Sequence, residues 1–186
     1  MWSDTAEVIA AEYIDGESIR LIENKKELLS KLDNIPPIDS IIDAMIYLEI
    51  AGEESGIESA AELLSERAMH CGSDPDQAWA VSGEKELETM RTFRHAIPET
   101  VNLVVEENHR NHCKVTKIST DISFAGKAFS EVMNWYMKSF NDLQSACCIF
   151  GHIGDNHVHC NLFAKDAIEQ KQCEDWMKWM LRNTID

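Results

Sequence analysis

The sequence predicts an α+β domain, an antiparallel or mixed β-sheet covered by helices. Three observations predict it. Two apolar runs, "ACCIFGHI" and "HVHCNLFA", flank a Gly154-Asp155-Asn156 bend, and two neighbouring strands joined by a tight bend must run antiparallel. Segments of helical period alternate with segments of strand period elsewhere in the chain. The 186 residues are 44% hydrophobic and 27% charged, which suits one soluble domain able to bury a core. Helices on one face of such a sheet are the economical arrangement.

Each element follows in order. "VIAAEYI", 8–14, is a short apolar run suited to a strand. Asp15 then stands where a helix N-cap belongs, ahead of "GESIRLIENKKELLSKL". Pro36 and Pro37 cannot continue that helix. "AMIYLEIAG", 44–52, alternates as a second strand. Residues 53–70 keep a helical period through Ile57, Ala60, Ala61, Leu64 and Ala68. "CGSDPDQAWAVSG" is a loop, with a short strand expected at "AWAV". Residues 84–108 are helical, with an interruption expected near Pro98. "KVTKISTDISF", 114–124, is polar, β-branched and extended. Phe129, Val132, Met133, Tyr136, Met137, Phe140 and Leu143 form one helical stripe, read as core packing. The hairpin follows, and then a last helix over 166–183 with Ile168, Trp176, Trp179 and Met180.

Charge and cysteine content exclude several classes of function. The formal net charge of −16 argues against a phosphate-backbone partner or an anionic lipid surface, both of which need clustered Lys and Arg. No nucleic-acid partner is expected. No run of about 18 apolar residues occurs, so no membrane span is expected, and "MWSDTAEVIAAEY" does not read as a secretory signal. The six cysteines form no Cys-x-x-Cys pair and several lie in apolar stretches, which suits a reducing cytoplasm better than a disulfide scaffold. The expected location is cytoplasmic, with a peripheral place in a membrane complex as the alternative.

The chemistry concentrates in "FGHIGDNHVHCNLFA", 150–164. Strand alternation points Val158, Cys160 and Leu162 into a core and leaves His157, His159 and Asn161 on the opposite face. The bend can bring His152 and His159 together across the hairpin. Imidazole is the commonest transition-metal ligand, so this is either half of a metal site or a hairpin that happens to be rich in histidine. Gly151 and Gly154 allow tight backbone geometry. Asp155 can cap the bend or support a ligating histidine. The His157-Val158-His159 spacing is also that of hydrolases whose metal site begins with His-x-His. Upstream, Arg94 has the planar fork that captures a carboxylate, or it pairs on the surface with Glu88 or Glu99. "HRNHC", 109–113, reads as a polar helix terminus.

"RHAIPETVN", "KISTDIS" and "FGHIGDNHVHCNL", in this order, resemble the C-terminal cap domain of the FAD-linked oxidases, the group that includes glycolate oxidase, D-lactate dehydrogenase and D-2-hydroxyglutarate dehydrogenase. "AEYIDGESIRLI" resembles that domain's opening. The resemblance implies a ferredoxin-like cap domain. It assigns a divalent metal, with zinc the expected ion, to His152 and His159. It assigns the substrate carboxylate to Arg94, with Lys117 the nearest candidate for a contributing lysine. His157 sits where the family usually has asparagine, and with Asp155 and Asn161 it is a candidate for the site face or its support. Phe124 and Ala125 stand where a proline is usual.

The implied reaction of the intact enzyme oxidises a D-2-hydroxy acid to the 2-oxo acid. FAD is the cofactor, and a protein or a quinone is the final electron acceptor. The family's FAD domain precedes this one, and its third metal ligand and catalytic histidine lie in a downstream Glu-His-Gly-Ile-Gly motif. Residues 1–186 therefore read as a fragment, expected to be inactive alone and to bind no FAD. The rival expectations are a free-standing metal or small-ligand module without catalysis, and a metal-dependent hydrolase using His157 and His159.

Overall fold

The computed structural model describes residues 5–39, 41–124, 128–140, 143 and 145–183. Ala125, at the loop where a proline is usual, lies outside the described residues. Six strands and five helices follow one another as β1 (Ala6–Asp15), α1 (Gly16–Lys25), β2 (Ala44–Gly52), α2 (Glu54–His70), α3 (Glu84–Asn111), β3 (Ile118–Ser119), β4 (Ile122–Ser123), α4 (Phe129–Ser139), β5 (Ala146–His152), β6 (His157–Phe163) and α5 (Ala167–Asn183). The strands form one sheet in the order β2-β1-β5-β6-β3, with β4 also on β6. Every pairing is antiparallel, as expected for this α+β domain.

Asp15 behaves as the sequence predicts and does more. Its Oδ1 accepts the Ser18 amide at 2.8 Å, which caps α1. Its Oδ2 accepts the Ile149 amide of β5, also at 2.8 Å, so one carboxylate joins the start of α1 to the centre of the sheet. Burial raises its pKa above the ordinary carboxylate value, against hydrogen bonds from Ser18 and Ile149 that lower it. After Lys25 the helix tightens into two 3₁₀ turns at residues 26–28 and 30–32 rather than running on as α-helix to Leu32.

The helices cover both faces of the sheet, not one. On the first face, Ile14 of β1 packs with Ile19, Ile22, Phe93, Ala96 and Ile97, which belong to α1 and α3. On the second, Ile149, Val158, Cys160 and Leu162 pack with Val132 and Tyr136 of α4 and with Cys173, Trp176 and Met180 of α5. The hairpin strands carry apolar side chains on both sides: Cys148 and Phe163 join Val101 on the α3 face. A strand apolar on both sides needs cover on both sides.

Three further expectations change. α3 runs through Pro98 without a break. Proline removes the bond to the Arg94 carbonyl, but Phe93, Ala96, Ile97, Thr100 and Val101 are buried on either side of it, and that packing holds the helix. "AWAV" forms no strand, and its residues are exposed. In α4 and just beyond it the stripe holds at Phe129, Val132, Met133, Tyr136, Phe140 and Leu143, while Met137 points outward at 59% exposure and Trp135 packs against the core instead.

Candidate functional site

β5 and β6 pair with Phe150 opposite His159 and His152 opposite His157. β1 adds Glu12 opposite His152. Directly opposed residues share a face, so Glu12, His152, His157 and His159 stand together on the α3 face of the sheet. The ring centres of His152 and His159 are 6.3 Å apart, those of His152 and His157 5.9 Å, and those of His157 and His159 4.8 Å. The three ring centres therefore form a triangle, with His152 and His159 on its longest side.

The tight geometry comes from two residues. Gly151 has φ +143°, and a Cβ there would meet the His157 carbonyl oxygen at 2.7 Å and Val158 Cα at 3.0 Å. At the bend the left-handed conformation falls on Asn156, with φ 51°, and not on Gly154, whose Cβ position is open. Asparagine tolerates that conformation through its short polar side chain.

Two carboxylates hold the histidines. Glu12 is 5% exposed, and its Oε1 accepts from His152 Nδ1 at 2.8 Å and from Arg94 Nη2 at 2.6 Å. A carboxylate only accepts, so Nδ1 of His152 donates, and Nε2 is the nitrogen that a neutral ring leaves free as a ligand. Asp121, in the link between β3 and β4, lies 2.6 Å from His157 Nε2 and 3.5 Å from His159 Nδ1. The Thr120 carbonyl accepts from His159 Nδ1 at 3.2 Å, which leaves Nε2 of that ring as the acceptor. Neither Glu12 nor Asp121 stands out in the sequence as a site residue. The available signal for Glu12 was a lone acid inside the apolar run "VIAAEYI"; Asp121 is found only through the pairing of β4 with β6.

Arg94 faces this group from α3. Its partner is Glu12, not Glu88 or Glu99, and its guanidinium lies 5.9 Å from the Tyr47 ring centre. One turn earlier Arg91 pairs with Glu49, and that hydrogen bond holds the Glu49 carboxyl below its usual pKa. A guanidinium has five N–H donors, so Arg94 can hold Glu12 and a further carboxylate together.

The other expected residues are placed as follows. Lys117 donates to Asn102 Oδ1 at 3.0 Å. Asn102 lies eight residues beyond Arg94, about 12 Å along α3. Lys117 also lines, with Asp121, an open hollow of about 420 Å³ at the β3–β4 edge. The structure therefore brings Lys117 to the Asp121 edge and not beside Arg94. Asp155 contributes its backbone carbonyl, which accepts from Ser123 Oγ at 2.7 Å; the carboxylates that meet the histidines are Glu12 and Asp121. Asn161 is on the histidine face and 1% exposed, and its Nδ2 has no hydrogen-bond partner among the described residues. Such a buried donor costs about 1–3 kcal/mol unless something accepts from it.

The donor set decides whether a metal fits. Three imidazoles and an exposed carboxylate on one face suit a borderline divalent ion such as zinc better than the all-oxygen shells of magnesium or calcium. For a flavin, the described residues offer no glycine-rich turn ahead of a helix of the kind that cradles a dinucleotide pyrophosphate. No described helix is long and apolar enough to cross a membrane.

The sheet, its helical cover and the histidine face define an α+β domain with one histidine- and carboxylate-bearing face. The chain belongs to the family "FAD linked oxidases, C-terminal domain", whose model matches residues 2–185, and is thus a domain of an FAD-linked oxidoreductase. No curated protein matches the chain.

Proposed function

We propose that this domain binds the substrate of an FAD-dependent enzyme that oxidises a small D-2-hydroxy acid to the 2-oxo acid, and that it holds a divalent ion of the zinc class through His152 and His159. The observation that carries the reading is one buried carboxylate, Glu12, bonded at once to His152 and to Arg94. It ties a metal-ligand candidate to a carboxylate-binding candidate in a fixed relation. When bound, the ion supplies Lewis-acid polarisation of the substrate oxygen.

The chain's own residues bind and orient. Arg94 neutralises the substrate carboxylate with donors that Glu12 leaves free. Glu12 fixes the tautomer of His152 so that Nε2 faces outward as a ligand. The oxidant is the FAD of the intact enzyme, and its electrons leave to a protein or a quinone.

The test uses the intact enzyme with D-lactate, glycolate and D-2-hydroxyglutarate and an artificial electron acceptor. Oxidation of at least one acid is expected, with Arg94→Ala raising its KM at least tenfold and His159→Ala losing both turnover and bound metal. Metal binding without oxidation of any of the three would instead favour a binding module. An unchanged KM in Arg94→Ala together with retained metal in His159→Ala would sink the reading.

A further inference from the structure

We infer that Asp121 and His157 complete, with His159, a donor set for a divalent transition-metal ion within this chain itself. The inference rests on the proposed role of His159 and adds two residues, Asp121 and His157, that the proposed His152–His159 pairing does not use. The ligand atoms of Asp121, His157 and His159 already lie within 4.8 Å of one another. No residue of the three is placed by a long flexible stem. His157 and His159 are alternate residues of β6, held in register by β5 on one side and β4 on the other. Asp121 is fixed in the short link between β3 and β4, both of which pair with β6.

The distances suit an ion. Zinc binds imidazole nitrogen and carboxylate oxygen at about 2.0–2.2 Å. An ion placed between His157 Nε2 and Asp121 Oδ1 takes the place of the shared proton and widens their 2.6 Å contact to about 3 Å. Asp121 is largely exposed and can make that move without disturbing the core. The ring centres of His157 and His159, 4.8 Å apart, match two imidazoles on adjacent corners of a tetrahedron, each centre about 3 Å from the ion. The wider 6.3 Å between His152 and His159 requires the His152 ring to close in before both can reach one ion. His157 already stands at the separation that sharing an ion with His159 requires. Two imidazoles and one carboxylate leave coordination positions open for a ligand such as a 2-hydroxy acid.

The test is calorimetric titration of the purified protein with zinc chloride, checked by cobalt(II) absorbance, with circular dichroism of each metal-free variant as the folding control. Near-stoichiometric binding is expected. His157→Asn and Asp121→Asn are each expected to weaken it at least tenfold and to lower the cobalt band intensity. The conservative variant Asp121→Glu is expected to recover part of the loss. Unchanged affinity in both His157→Asn and Asp121→Asn overturns this inference; if His152→Ala then abolishes binding, the His152–His159 pair survives without it. Loss in His157→Asn and Asp121→Asn with none in His152→Ala supports the inference and removes His152 from the ligand set. Failure of the wild-type protein to bind zinc overturns this inference, which places the donor set within this chain; metal retained by the intact enzyme and lost in His159→Ala would leave the His152–His159 pairing standing.

Discussion

β6 carries two different kinds of chemistry on its two faces. Its even residues, Val158, Cys160 and Leu162, are sealed among the aromatic and methionine side chains of α4 and α5. Its odd residues, His157 and His159, are half-buried beside carboxylates, and Asn161 is buried with an unpaired donor. Each residue of one face lies a single position from the other. A strand can therefore set ligating groups at fixed spacing because the alternate residues anchor it. The rigidity that a metal or substrate site needs comes from hydrocarbon on the far side of the same backbone.

The largest expected effect separates the faces directly. Leu162→Ala removes a side chain that is 2% exposed and leaves a cavity, so it is expected to cost about 2–5 kcal/mol in urea unfolding. Asn161→Ala, one residue away, discards an unpaired donor and is expected to cost clearly less. Equal costs would mean that the two faces are not energetically distinct.

A smaller effect tests the bend that holds the histidines. Gly151→Ala puts a methyl group 2.7 Å from a backbone oxygen at a positive φ, and is expected to lose about 1–3 kcal/mol. Gly154→Ala enters open space and is expected to change stability by less than about 0.5 kcal/mol. The pair, measured by thermal unfolding, shows which glycine the site geometry requires.

pH sharpens the contrast further. Burial pushes the Cys147 thiol and the Tyr136 hydroxyl each up to about 12, and raises Cys148 and Cys160 well above the ordinary thiol value. These groups have folded pKa values above their unfolded ones, so the stability they contribute is fully present below about pH 9 and is lost as pH rises toward 12. Urea midpoints are expected to be steady from about pH 7 to 9 and to fall above that. A midpoint that holds through pH 11 would place those thiols in water.

The hairpin, its two faces and the Asp15 cap were legible in the sequence because each is local. Alternation, a Gly-rich bend and a capping acid act within a few residues. The carboxylate partners were not legible. Glu12 reaches His152 across 140 positions of chain, and Asp121 reaches His157 from the link between two strands of only two residues each, too short to show a period. Pro98 misled for the complementary reason: a local helix-breaking rule was overruled by the packing of α3 on α1 and the sheet. Cover on both faces of the sheet could have been read from Cys148, Phe150 and Phe163, apolar residues on the side that also carries the histidines.

The central claim is that this histidine face holds a cation. Anomalous diffraction from a zinc-soaked crystal, recorded above and below the zinc absorption edge, tests it most directly. One strong peak is expected on the α3 face of the β5–β6 hairpin, about 2.0–2.2 Å from His159 and from the other ligands that hold the ion. Zinc found only on scattered surface carboxylates, with the three imidazoles unoccupied, would contradict it.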